Sequence, residues 1–365
     1  MLLAYTAGEN APRMIQAPSS PRQIRSPLRS PSAPARGESA PGWQHALREA
    51  FSRPADLLRY LELDPALPVL DFERLRDFPL RVPRGFAARM RKGDPLDPLF
   101  VQVWPSARES EPVPGFVRDA VGDLDATVGD GVLHKYPGRA LLITTGACAV
   151  HCRYCFRRHF PYSDSLAARA HWQPALERLA ADESISEAIL SGGDPFSLSD
   201  ERLAELFEGL ARIPHLRRLR IHTRQPIVLP ERVDAGLLQI LRDVPMDRVM
   251  VLHANHANEL DETVAGACRD LRDSGWMLLN QSVLLRGVND DTAALRDLHE
   301  RLFGLGVLPY YLHLVDRVEG AAHFEVEENR ARQLMRELSS SSPGYLVPRL
   351  AREVPGESAK TWLTW

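Results

Sequence analysis

The chain has 365 residues, of which 44% are hydrophobic and 25% charged, with a net charge of −3 at pH 7. That length suits one large catalytic domain plus an accessory segment. No run of about 18 apolar residues and no basic block occurs, which argues against a membrane span and against nucleic acid as the main partner. Four cysteines are too few for a disulfide scaffold, and three of them fall within eight positions, a pattern of metal ligation in a reducing compartment such as the cytoplasm.

In chain order, residues 1–42 carry Pro21, Pro27, Pro31, Pro34 and Pro41 among Ser and Arg, cannot build a core, and are expected to be disordered. Their five arginines against two glutamates faintly resemble a transit peptide, but the prolines interrupt any amphipathic helix. From Trp43 to about Leu63 the apolar residues have helical spacing, and F-A-A-R-M-R follows, so 43–130 reads as a helical subdomain whose Pro/Gly/Asp-rich end, Pro105 to Gly131, is a linker. Six short apolar runs then recur about every thirty residues: Ala140–Thr144, Ala188–Leu190, Leu219–Ile221, Val249–Leu252, Met277–Val283 and Pro309–Leu314. Helical patterns alternate with them, the last closing on a C-cap-type glycine, Gly306. The expected fold is α/β, a partial (β/α)6 barrel over 131–345, followed by a C-terminal segment 346–365. In such barrels the chemistry gathers at the carboxyl ends of strands.

The first strand runs directly into T-T-G-A-C-A-V-H-C-R-Y-C-F-R-R, where Cys148, Cys152 and Cys155 stand at spacings of four and three. Three thiolates in one loop suit three irons of a cuboidal four-iron four-sulfur cluster, leaving the fourth iron open. A closed zinc site would ordinarily want four ligands in paired blocks, and His151, between two ligating cysteines, is expected to point away. The open iron can chelate S-adenosylmethionine, and the spacing resembles the signature of the radical S-adenosylmethionine superfamily. Ser191, Gly192, Gly193 and Asp194 follow the next strand, where two glycines allow close backbone approach and a carboxylate can meet the methionine ammonium. Cys268 stands alone and reads as a helix core thiol.

The words around the cysteines carry a further likeness. L-H-K-Y-P-G-R-A-L-L, C-F-R-R-H-F-P-Y, S-G-G-D-P, I-H-T-R-Q-P, L-H-A-N-H-A-N-E, N-Q-S-V-L-L-R-G-V-N-D, Y-Y-L-H-L-V-D and L-A-R-E-V-P-G-E-S-A-K-T together resemble the lysine 2,3-aminomutase family, most closely its elongation factor P β-lysylation branch. The likeness runs from about Trp43 to the C-terminus. It implies a second cofactor, pyridoxal 5′-phosphate, with the family's cofactor lysine falling on Lys360, and it places Lys135, Tyr136 and Arg139 at the cofactor's phosphate and ring. Asp291 and His313 match further positions near that ring, although their residue types differ from those of the free-lysine enzymes. His253 and Gln281 match contacts to S-adenosylmethionine, with His222 and Arg224 as additions.

For the substrate, Arg157 matches the arginine that holds the carboxylate, a task suited to a planar bidentate donor. Asp316 and Glu353 match a carboxylate pair for the distal ammonium of L-lysine. The run Pro355-Gly356-Glu357-Ser358-Ala359 departs from the glycine-rich run of the free-lysine enzymes, and no cysteine follows Cys268, so their zinc-bridged assembly is not expected here. The resemblance thus implies conversion of L-α-lysine to (R)-β-lysine, a flavodoxin- or ferredoxin-type electron donor, and a link to elongation factor P and its lysine ligase. An aminomutase for free β-lysine or another amino acid, and a cluster-binding sensor without catalysis, remain the alternatives.

Overall fold

The computed structural model describes residues 42–66, 78–162, 167 and 172–365. The tail expected to be disordered therefore lies, apart from Gly42, outside the described residues. Nine strands form one sheet whose order follows the chain: β1 Val132–Tyr136, β2 Arg139–Thr145, β3 Glu187–Gly192, β4 Arg218–Thr223, β5 Asp247–Leu252, β6 Met277–Leu284, β7 Leu308–Leu314, β8 Arg349–Arg352 and β9 Thr361–Trp362. Neighbours from β2 to β8 pair in parallel, whereas β1 and β9 lie antiparallel on β2 and β8.

Among the described residues three short α-helices precede the sheet: α1 Gly42–Arg48, α2 Pro54–Tyr60 and α3 Arg84–Ala88. Parallel neighbours need a crossover, and each has a helical one: α4 Gln173–Ala181, α5 Asp200–Ala211, α6 Gln225–Val228 with α7 Ala235–Arg242, α8 Glu262–Asp273, α9 Thr292–Gly304 and α10 Glu328–Ser341. The six apolar runs of the sequence are β2 to β7, and β8 adds a seventh parallel strand. Its four residues, R-L-A-R, are half arginine, and β9 has two residues, so neither carries a periodic apolar signal.

The helices form where the residues favour them. Asp261 caps α8 by accepting from the Thr263 and Val264 amides, and Val264, Ala267, Cys268 and Leu271 bury one face at i, i+3, i+4 and i+7. Cys268 is accordingly a core thiol. Helix α9 ends in a Schellman motif, with Gly306 at φ +74°, its amide on Phe303 O at 2.8 Å and that of Val307 on Leu302 O at 2.9 Å.

Two packing layers position the site. The outer helices cover the strands through residues such as Leu142, Leu190, Ile221, Met250 and Leu278. The N-terminal helices build their own core from Trp43, Leu57, Phe86, Phe100 and Trp104, which also takes in Ala149 and Val150 of the cysteine loop. Each fully buried large side chain there contributes roughly 1.5–3 kcal/mol. Docking that layer is what holds the cysteine loop over the sheet.

Candidate active site

One cavity of about 510 Å³ is lined by residues of β1, β2, β3, β4, β6, β7 and β9 and by His253 and Glu353 just past β5 and β8, so the sheet curls around it as a partial barrel. Cys148, Cys152 and Cys155 line it, as do Lys360, Asp316 and Glu353, although some two hundred residues separate the two groups in sequence.

The cysteine loop leaves β2 after Thr145 and is pinned from outside. Glu109, on a short 3-10 turn at Ala107–Ser110, accepts from Arg153 Nε at 2.8 Å and from Arg158 Nη2 at 2.8 Å. Arg153 also donates to Phe78 O at 2.9 Å. His151 turns its Nδ1 to Pro79 O at 2.7 Å and does not line the cavity. Burial pushes the Cys155 thiol up to about 11 and the Cys148 thiol well above its usual range. Buried thiols of this kind become thiolates only when a metal replaces the proton. Among the described residues no three His, Cys, Asp or Glu side chains converge as one metal ion requires. Ligands of a cuboidal cluster each take a different iron and need not converge.

The S-G-G-D turn packs on this loop. The Gly193 amide donates to Thr145 O at 2.6 Å and the Asp194 amide to Ala147 O at 2.8 Å, and a Cβ on Gly193 would lie 2.4 Å from Ala147 O. The close approach expected of the glycines is thus made to the backbone beside Cys148. Gly193→Ala is expected to displace the loop and lower iron and sulfide per chain after reconstitution; stoichiometric loading would refute that. Asp194 lines the cavity with both oxygens engaged: Oδ1 accepts from Thr223 Oγ1 at 2.7 Å and Phe196 N at 3.0 Å, Oδ2 from Arg224 N at 2.8 Å and Gln225 N at 3.0 Å.

A chain of charges closes the seam between the two sheet edges. Lys360 Nζ meets Glu353 Oε2 at 2.5 Å, and Glu353 Oε1 meets Lys135 Nζ at 2.9 Å. Lys135 also meets Asp123 Oδ1 at 2.5 Å and Val121 O at 2.7 Å, while Asp123 Oδ2 accepts from Arg157 Nε at 2.6 Å. Arg157 Nη1 reaches Ser191 Oγ at 3.0 Å. The Arg139 guanidinium stacks 4.6 Å over the Tyr136 ring. Burial alone would raise the Glu353 carboxyl, but the Lys360 and Lys135 ammoniums hold it well below the usual range. Asp123 is likewise held down by Arg157 and Lys135 against its burial. Asp123 is 1% exposed and lies in the stretch read as a linker, where no periodic or motif signal marked it.

Asp316 behaves oppositely. Burial, followed by the nearby Glu353 carboxylate, pushes it up to about 7. Folded, it keeps a proton that the unfolded chain loses near pH 3.9, so its contribution to stability falls as pH rises from about 4 through about 7. Asp316→Asn should flatten the decline of melting temperature over that window; an unchanged profile would refute the assignment.

Three histidines line the cavity in neutral form. Burial lowers His253 to about 3, and its Nε2 lies 3.3 Å from the Tyr154 hydroxyl. His222 and His313 are driven well below their usual range by burial, aided by the charges of Arg220 and Lys360 respectively. Gln281 reaches the cavity from β6. Asp291 is a correction: it is exposed, lies outside the cavity, and caps α9 by accepting from Ala294 N at 2.9 Å. A carboxylate two residues into N-D-D-T is spent on the orphan amides of the helix start.

No family model matches the chain. It is 48% identical over 320 residues to L-lysine 2,3-aminomutase of Escherichia coli K12, covering 87% of this chain and 93% of that protein. The chain belongs to the lysine 2,3-aminomutase family. It is 46% identical to the Haemophilus influenzae enzyme, over 87% of this chain and 94% of that one, and 31% identical to the Clostridium subterminale enzyme, over 87% and 77%. A radical SAM methyltransferase from Sphaerobacter thermophilus superposes with a TM-score of 0.45 at 18% identity, covering 60% of this chain and 68% of that one.

As a member of this family the chain is an isomerase of the radical S-adenosylmethionine type. Lysine 2,3-aminomutases use a four-iron four-sulfur cluster, S-adenosylmethionine and pyridoxal phosphate. The donor set of the cavity fits all three: soft thiols, the Ser191–Gly193 backbone with neutral His253, and a primary amine accompanied by further cations. No described helix is long and apolar enough to cross a membrane.

Proposed function

We propose that this aminomutase converts L-α-lysine to (R)-β-lysine, with the cluster on Cys148, Cys152 and Cys155 and pyridoxal phosphate on Lys360, and that the product serves β-lysylation of elongation factor P. The observation carrying the first half is that one cavity joins the three thiols to Lys360 and to the carboxylates Asp316 and Glu353. When bound there, the cluster and S-adenosylmethionine supply a 5′-deoxyadenosyl radical, and pyridoxal phosphate carries the migrating amino group.

The chain's own residues do the rest. Arg157, buried and braced by Asp123, presents a planar guanidinium to the substrate carboxylate. Asp316 and Glu353 take the distal ammonium, whose burial without partners would cost several kcal/mol. This selects lysine over glutamate. Lys135 and Arg139 offer cations to a phosphate, and neutral His313 and His222 line the same cavity without adding charge. Lysine affinity is expected to rise with pH through about 7, as Asp316 ionises, and Asp316→Asn to raise KM by about 10- to 150-fold, the equivalent of 1.5–3 kcal/mol for a charged hydrogen bond.

The elongation factor P assignment is supported by the sequence words of that branch and by the higher identity to the Escherichia coli and Haemophilus influenzae enzymes, 48% and 46% against 31% for the clostridial one. A flavodoxin- or ferredoxin-type donor and a cytoplasmic setting complete the reading, since unpaired cluster thiols need a reducing compartment. The test is an anaerobic assay of the reconstituted chain with pyridoxal phosphate, S-adenosylmethionine, dithionite and L-lysine, read by chiral chromatography. (R)-β-lysine is the expected product; 5′-deoxyadenosine without it would discard lysine as substrate. Transfer of that product to elongation factor P by the ligase, seen by mass spectrometry, tests the second half.

A further inference from the structure

Arg224 lies just past the end of β4, buried, with its guanidinium between a cysteine and a carboxylate. Nη1 donates to Cys152 Sγ at 2.7 Å and to the Tyr154 hydroxyl. Nη2 donates to Gln102 Oε1 at 2.8 Å and to Glu259 Oε2 at 2.9 Å. Glu259 is wholly buried, and its other oxygen accepts from the Asn255 amide at 2.9 Å and Gln102 Nε2 at 3.2 Å. Asn255 Nδ2 in turn donates to the Tyr154 hydroxyl at 2.7 Å. The positive end of a fixed ion pair therefore touches the sulfur, and the negative end stands behind it.

We propose that Arg224, held in place by Glu259, is a positioning residue that raises the reduction potential of the iron–sulfur cluster through its hydrogen bond to Cys152. This rests on the cluster assignment above. Reduction adds one electron, and so one negative charge, to the cluster, taking it from the 2+ to the 1+ state. An N–H donor and a cation on a ligand sulfur stabilise the reduced state more than the oxidised one, and hydrogen bonds to the sulfurs are among the established determinants of cluster potential. Screening is weak in a buried site, so both charges act on the cluster, the nearer one more strongly. Removing Arg224 should lower the potential. Removing the Glu259 charge should raise it.

Opposite signs separate tuning from scaffolding, because a merely structural role would loosen the loop alike in both variants. The experiment is an anaerobic redox titration with dithionite as electron donor, monitored by electron paramagnetic resonance, on the reconstituted full chain without S-adenosylmethionine. Arg224→Gln is expected to make reduction at least tenfold less favourable, about 59 mV for one electron, and Glu259→Gln to shift the potential upward. Should Arg224→Gln fail to hold a cluster, the double variant R224Q/E259Q removes both buried charges together and should still titrate below wild type. Potentials that coincide with wild type, or move the same way in both single variants, overturn the proposal. A wild-type chain that takes up no four-iron cluster refutes the cluster assignment itself; a normal cluster with unmoved potentials refutes only the role of Arg224.

Discussion

Lys360→Ala is expected to abolish the visible absorbance of lysine-bound pyridoxal phosphate and to lower β-lysine formation by roughly 10³-fold or more, the scale on which loss of a covalent anchor acts. The iron–sulfur spectrum should remain. The reason is spatial: Lys360 sits on the C-terminal segment against β8, tied to Glu353 at 2.5 Å, whereas the cysteine loop is held by Glu109 and by the N-terminal helical core. Lys135 still neutralises Glu353 when Lys360 is gone, so the seam keeps one of its two ion pairs. Loss of both spectra in this variant would show that the cysteine loop and the C-terminal segment do not fold independently and would remove the basis for assigning Lys360.

Cys152→Ala should give the reverse result: little or no four-iron cluster, no cleavage of S-adenosylmethionine, and an intact pyridoxal phosphate spectrum. Two ligands cannot replace three on a cuboidal cluster with one open iron. Cys152 also carries the Arg224 contact and packs against the N-terminal core, so its loss touches binding, tuning and docking together. Retention of a reducible four-iron cluster in Cys152→Ala would overturn the ligand assignment.

Several parts of the site were legible because their information is local. The C-x3-C-x2-C spacing, the strand before it and the glycines after β3 lie within short windows, where side-chain type and backbone freedom speak directly. Six of the parallel strands were legible because each carries a short apolar run, and the runs recur about every thirty residues between helical patterns. Other parts were not. Asp123 holds Lys135 and Arg157 from inside a stretch whose Pro, Gly and Asp content reads as a linker. Asp291 was placed near a cofactor by resemblance, yet the free amides at the start of α9 claim its carboxylate.

The Arg224 network shows the same division. Its members Gln102, Cys152, Tyr154, Arg224, Asn255 and Glu259 come from four separate regions of the chain, and no pattern in the sequence pairs them. Nor could the sequence say that Glu353 is shared between two lysines, or that Asp316 keeps its proton to about 7, since both follow from burial and from which charges stand within a few ångströms.

By itself, then, the sequence determined the spacing of the three cysteines and the alternating α/β order, which are written in local pattern, and its motif words carried the family resemblance. Only the tertiary structure decided which charges meet across the open seam of the barrel and which polar groups stand behind the cysteines. Those depend on how the sheet curls and where the N-terminal helices dock, and long-range packing leaves no local trace in the chain.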